Sequence, residues 1–173
     1  MRLEDYIHDI PDFPKPGIVF KDITPLFLDP EALCFTVGLL ADMAREWEID
    51  YVVSAEARGF VLGGAVATAV RAGFIVARKP GKLPRETDSV EYQLEYGVDA
   101  LEVHSDAIRG GARVMVHDDL LATGGTAGAL CGLVEQAGGV VAGCAFVIEL
   151  AFLDGREQLL GYDVRALVVV DGE

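Results

Sequence analysis

Basic residues are scarce in this sequence. Only 14 of its 173 residues are Lys or Arg, against 28 Asp and Glu, and the formal net charge is −14. A general nucleic-acid binder needs a basic footprint, so that class is excluded. A small anionic ligand is not, because local charge decides its binding. Histidine and cysteine number three each. His8, His104 and His117 have no metal-ligand spacing among them, so no protein-held metal site is expected. Cys34, Cys131 and Cys144 form no CxxC pair and lie in apolar surroundings, which predicts buried free thiols in a reducing compartment. No run reaches the roughly 18–20 apolar residues of a membrane span. The stretch "MRLEDYIHDIPDF" is polar and acidic and lacks a signal-peptide core. The expectation is a cytoplasmic protein with neither a nucleic-acid nor a membrane partner. No Ser/His or Cys/His nucleophile pair is visible, and no linker, repeat or low-complexity segment interrupts the chain.

What is present is apolar sequence enough for a full core, 51% of the residues. The length predicts one domain, residues 1–173. "LEDYIHDI" has a helical apolar spacing. Three prolines then hold an irregular segment, and "GIVFKDIT" is extended. Asp29 and Pro30 predict a helix start, as N-cap and first helical residue. "YVVS", "FIVA", "LEVH", "RVMVH", "VVAGCAFVIEL" and "VRALVVV" read as apolar strands. "VLGGAVATAVRAG", residues 126–136 and "GREQLLG" read as helices between them. Such alternation predicts a mainly parallel sheet covered on both faces, an α/β fold. The polar run 78–97 has no clear period and is long for a connection in a compact fold, which suggests a functional lid.

The stretch "RVMVHDDLLATGGTAG" carries the chemistry. A strand reaches two adjacent aspartates and breaks into a glycine-containing loop that opens a helix. In a parallel α/β sheet, ligands sit beyond the carboxyl ends of the strands. Free N–H groups at a helix start favour an anion. Gly124 and Gly125 let the backbone approach it, Thr123 and Thr126 offer hydroxyls, and Thr126 could cap the helix. The lysine of an ATPase-type loop is missing. Asp118 and Asp119 are acceptors suited to vicinal hydroxyls. A sugar phosphate satisfies both halves of the motif, its hydroxyls on the aspartates and its phosphate on the loop. Arg78, Lys79, Lys82 and Arg85 crowd into "RKPGKLPRE", either a solvated charge run or a mobile anion clamp. Arg58 in "EARGF" is a second candidate for phosphate.

"VMVHDDLLATGGT" resembles the 5-phosphoribosyl-1-pyrophosphate (PRPP) motif of the type I phosphoribosyltransferases. "FPKPGIVFKDITPL", "EARGF", "RKPGKLPRET" and "YQLEYG" look like segments of the adenine phosphoribosyltransferase branch, in that family's order. The resemblance runs from about Ile10 to near Val170. It implies a type I fold with a small N-terminal hood and a mobile lid loop. The implied activity is that of a purine-salvage enzyme, a pentosyltransferase that turns adenine and PRPP into AMP and pyrophosphate. It implies Mg²⁺, bound mainly through PRPP and pyrophosphate, and a homodimer.

By the same resemblance, Asp118 and Asp119 hold the ribose hydroxyls. Ala122, Thr123, Gly124, Gly125 and Thr126 hold the 5′-phosphate, and Glu56, Ala57, Arg58 and Gly59 form the pyrophosphate loop. Lys82 reaches the leaving pyrophosphate from the lid, with Arg78 contributing from a partner subunit. Phe20 packs against the base, while backbone groups of Val19 and Lys21 meet its edge. Glu95 and Tyr96 assist proton handling and closure. Two positions depart from the family pattern. His117 replaces an aliphatic residue and is expected to pack within the fold, and Lys21 stands where some members have arginine. The rival readings are hypoxanthine or guanine as the base, and a non-catalytic PRPP-binding regulator. The second would need a DNA-binding segment, for which no spare length or basic helix exists.

Overall fold

The computed structural model describes residues 1–93 and 97–172. Strands β1 (His8–Pro11) and β2 (Val19–Asp22) form an antiparallel pair near the N-terminus. The helical turn α1 (Thr24–Leu28) and the long helix α2 (Pro30–Glu46) follow. Asp29 caps α2 as its residue type predicts, its Oδ1 accepting from the N–H groups of Glu31 and Ala32 at 2.9 Å. Then come β3 (Tyr51–Ala55), α3 (Gly59–Val70), β4 (Gly73–Ala77), β5 (Thr87–Gln93) and β6 (Val98–His104). The chain closes with β7 (Arg113–Leu121), α4 (Gly125–Gln136), β8 (Val140–Leu150) and β9 (Val164–Val170).

Five strands make one parallel sheet in the order β4-β3-β7-β8-β9. Its central members are apolar on both faces because both faces are covered. Val114 and Val116 of β7 join the core beneath α4, whereas Met115 joins the core that includes residues of α2 and α3. Among the described residues, no helix is long and apolar enough to cross a membrane.

Four expectations need correction. "LEDYIHDI" is not one helix. A 3₁₀ turn covers Leu3–Tyr6, and the rest enters β1, where the pairing with β2 overrides the helical spacing. The stretch 78–97 is not without structure: it contains β5, paired antiparallel with β6. Val90 and Tyr92 are half-buried while Glu91 between them is exposed, a period of two that its polar residues conceal. Cys34 is exposed on α2, so only Cys131 and Cys144 are buried thiols, their sulfurs 3.6 Å apart. Finally, β7 does not stop before the acidic pair but continues through it to Leu121.

Candidate functional site

The site lies at the carboxyl ends of β3, β7 and β8, where the parallel arrangement exposes backbone and short loops. A cavity of about 470 Å³ opens between the segment after β3 and the start of α4. Its wall includes Glu56, Ala57 and Arg58 from the first, Asp118 and Asp119 from β7, and Thr126 from the second. A smaller cavity of about 80 Å³ is walled by Asp118 and residues 120–127, which include Ala122, Thr123, Gly124 and Gly125. Thus the two halves of the "DDLLATGGT" motif share one wall.

The electrostatics separate the two aspartates. Asp119 is buried and paired with Arg58, whose Nε lies 2.7 Å from its Oδ2. Asp118 keeps some surface in the cavities, but protein atoms crowd around it. That burial, together with the neighbouring Asp119 charge, pushes its carboxyl well above the usual carboxylate range. Its Oδ1 accepts the Asp119 N–H at 2.9 Å. Gly59 opens α3 so close to Asp118 that a β-carbon there would stand 2.8 Å from the same oxygen.

The loop before α4 turns at Gly124, whose φ of +83° lies in the left-handed region. Gly124, not Thr126, is the N-cap residue of α4, and no side chain caps this helix. The unclaimed N–H groups at its start are what an anion requires.

The basic run is held on acids. Glu56 accepts the Lys79 N–H at 2.8 Å and stands 3.1 Å from Lys82 Nζ and 3.4 Å from Arg78 Nε. The Lys79 N–H bond, reinforced by Lys82 and Arg78, holds its carboxyl down at about 2. Lys79 Nζ pairs with Asp99 at 2.9 Å, and Arg85 with Asp106. These cations therefore do not stand repelling one another in the free chain, as an unpaired clamp would. The Glu56–Ala57 peptide is cis.

The third element is an apolar cavity of about 380 Å³ between the β1–β2 hairpin and the end of β8. Gly17, Ile18, Val19 and Lys21 wall one side, Leu150, Phe152 and Leu153 another, and Thr123 of the phosphate loop closes it. Val19 and Lys21 thus line one cavity. Phe20 does not line this cavity, because alternate residues of a strand face opposite ways. Its ring lies edge-on to Phe13 at 5.2 Å, with the Arg58 guanidinium over it. Lys21 Nζ is engaged by Asp9 Oδ1 at 2.7 Å.

His117 packs inside the fold. It is wholly buried, with Nδ1 2.9 Å from the Ala145 carbonyl oxygen, and burial lowers its pKa to about 4. Glu95 and Tyr96 lie outside the described residues. Lys79, of the basic run, also lines the larger cavity, while sequence reasoning missed Tyr92 and Asp99 there, and Leu150, Phe152 and Leu153 as the far wall of the apolar pocket. The alternation "VEYQ" signalled Tyr92. For the others no local signal existed, since the sheet order brings them together.

No protein-family model matches the chain. Sequence relatives do. It is 60% identical over 167 residues to the adenine phosphoribosyltransferase of Rubrobacter xylanophilus, covering 96% of this chain and 90% of that one. It is 58% identical over 171 residues to that of Clostridium perfringens, covering 99% of both. Among solved structures, adenine phosphoribosyltransferase from Thermoanaerobacter pseudethanolicus superposes with a TM-score of 0.94 at 49% identity, covering 97% of this chain and 98% of that chain. The Saccharomyces cerevisiae enzyme, solved in complex with an imino-altritol bisphosphate and adenine, superposes with a TM-score of 0.90 at 38% identity, covering 95% and 96%. With this identity spread over almost the full length, and with the aspartate pair, glycine loop and basic loop in place, the chain belongs to the adenine phosphoribosyltransferase family.

Proposed function

We propose that this protein transfers the 5-phosphoribosyl group of PRPP to adenine, releasing AMP and pyrophosphate. The observation that carries the reading is Thr123. It belongs to the phosphate loop and also closes the apolar pocket, so sugar phosphate and base sit side by side. The yeast relative was solved with adenine, which supports adenine as the base. The 5′-phosphate rests on the N–H groups opening α4. The ribose hydroxyls donate to Asp118 and Asp119. A ring nitrogen of the base attacks C1 of the ribose as the C1–O bond to pyrophosphate breaks, and that nitrogen gives up its proton to solvent or the leaving group. The step spreads positive charge on the sugar ring and negative charge on the leaving group. Arg58 and Lys82 stabilise the latter. Closing of the lid excludes water, the competing nucleophile.

Mg²⁺ enters with the pyrophosphate. Among the described residues, no three His, Cys, Asp or Glu side chains converge as a metal site, and the cavity's own donors are carboxylate oxygens. That set fits a cation that keeps most of its shell on phosphates and water. Bound there, it would neutralise developing charge on the leaving group. A homodimer completes the reading, as does a cytoplasmic setting, which the free Cys131–Cys144 thiol pair favours. AMP formation from adenine, PRPP and Mg²⁺, with hypoxanthine and guanine run alongside, tests the activity and the base. Equal turnover of the other purines would overturn adenine as substrate. Light scattering tests the dimer.

A further inference from the structure

One ion pair near the site lines none of its three cavities. Glu149, next to last in β8, is buried, and Arg156 grips it with both arms of the fork: Nε to Oε1 at 2.6 Å and Nη2 to Oε2 at 2.7 Å. The remaining guanidinium nitrogen donates to the Val164 carbonyl at 2.9 Å, anchoring the fork to β9. The pair closes a strap, residues 150–155, that leaves the end of β8 and returns.

Both subsites of the proposed reaction lean on this strap. Its first part supplies Leu150, Phe152 and Leu153 to the apolar pocket. At its far end, Gly155 presses on the phosphate loop from below. A β-carbon on Gly155 would run into the Ala122 carbonyl, and one on Gly124 would run into the Gly155 carbonyl. Backbone therefore packs on backbone with no side chain between, and any shift of the strap moves the phosphate loop.

We propose that Glu149 and Arg156 are positioning residues for the transfer. They lock the strap, and the strap sets the distance between the base pocket and the phosphate loop, hence the reach of the base to C1. Neither side chain touches a substrate. A planar bidentate pair suits this work because it fixes angle as well as distance. The inference rests on the adenine phosphoribosyltransferase reading of the two subsites.

Calorimetric titration of the full chain tests it, with adenine, ribose 5-phosphate and AMP as probes. AMP joins the two fragments, so its advantage over them reads the spacing of the subsites. Arg156→Ala should leave each fragment's Kd within about threefold of the parent yet weaken AMP by about tenfold or more, because only a linked ligand feels misregistered sites. Guanidinium ion at millimolar concentration should restore part of the AMP affinity. Arg156→Lys, which keeps the charge and loses the fork, should fall between. Should Arg156→Ala unfold, Glu149→Met/Arg156→Leu carries the test, since it leaves no lone buried charge. Proportionate losses for all three probes, or no loss for AMP, would overturn the proposal. A parent chain that binds none of the probes would overturn the transferase reading itself, and the inference with it.

Discussion

Arg58 Nε lies 2.7 Å from Asp119 Oδ2, and the same guanidinium stands 5.0 Å from the centre of the Phe20 ring. One side chain thus links the acidic pair of β7 to the β1–β2 hairpin. Asp119→Asn removes the charge that orients Arg58 and leaves the ribose one weaker acceptor oxygen in place of the carboxylate. A hydrogen bond involving a charged group contributes about 1.5–3 kcal/mol, so kcat/KM for PRPP should fall roughly 10- to 100-fold. Arg58 keeps considerable solvent exposure, so the fold should survive. Unchanged PRPP kinetics would sink the assignment.

Much of this site was legible before any coordinates. The strand–DD–loop–helix order places Asp118, Asp119 and the glycine loop together at the strand ends, because helix starts and strand ends meet there in any parallel α/β sheet. What local pattern could not show is partnership across the sheet. Nothing near Glu56 announces that it gathers Arg78, Lys79 and Lys82. Nothing near Phe152 announces an apolar cavity whose other wall lies more than a hundred residues earlier. The hairpin of β5 and β6 was hidden for a different reason: its polar residues dilute the alternation that marks a strand.

Lys82 and Glu56 give a kinetic prediction. Lys82 Nζ rests 3.1 Å from Glu56 Oε2 in the free chain, where leaving pyrophosphate would compete for it. Charge on pyrophosphate grows in the transition state, so Lys82→Ala should lower kcat more than it raises KM for adenine. Loss of one such donor commonly costs on the order of 100-fold. In the parent, trypsin should cut after Lys82 or Arg85 but not before Pro80, and more slowly with Mg²⁺ and PRPP. Full activity of Lys82→Ala, together with cleavage indifferent to ligand, would leave a static surface loop.

Gly124 predicts a backbone effect. Its φ is +83°, and a β-carbon there would collide with the Gly155 carbonyl, whereas Gly125 has no positive φ and a β-carbon on it would stand 3.1 Å from the Tyr92 ring and 3.3 Å from the Gln93 carbonyl oxygen. Gly124→Ala should cost at least about 1–2 kcal/mol from the left-handed conformation alone. It should also lose AMP binding as the loop is displaced. Gly125→Ala needs shifts of a few tenths of an ångström from Tyr92 and the Gln93 carbonyl and should be milder. Thermal melts and AMP titrations of both variants decide it, and equal behaviour of the two would contradict the geometry.

His117 bears on acid stability. Burial holds its pKa near 4, below the ordinary value of 6.5, so the unfolded chain binds its proton first as pH falls. Folding stability contributed by the neutral ring is therefore present above about pH 6.5 and lost as pH drops towards 4, by at most about 1.4 kcal/mol per pH unit. Its Nε2 is buried without a hydrogen-bond partner. His117→Leu should remove that slope while leaving neutral-pH stability within about 1.5 kcal/mol, as volume-conserving core swaps do. Denaturant melts at pH 7, 6 and 5 measure it, and an unchanged slope would show that another group titrates.

Asp118 makes the opposite case. Burial and the adjacent Asp119 charge raise its pKa well above the ordinary carboxylate value, so the folded chain holds this proton after the unfolded chain has released it. Stability is then greatest at pH below the unfolded value and falls as pH rises from there towards the raised folded pKa. An amide has nearly the shape of the protonated acid, and its oxygen can still accept the Asp119 N–H that Asp118 Oδ1 accepts at 2.9 Å. Asp118→Asn should therefore melt at or above the parent temperature near pH 7.5, with the difference shrinking towards pH 4. PRPP binding should suffer nonetheless, because an amide is a weaker acceptor for a ribose hydroxyl than the carboxylate formed when the proton leaves. The two measurements pull apart what a purely structural role would keep together: the variant gains fold stability and loses ligand. A variant that melts well below the parent at pH 7.5 would show that the ionised carboxylate is already satisfied in the free chain.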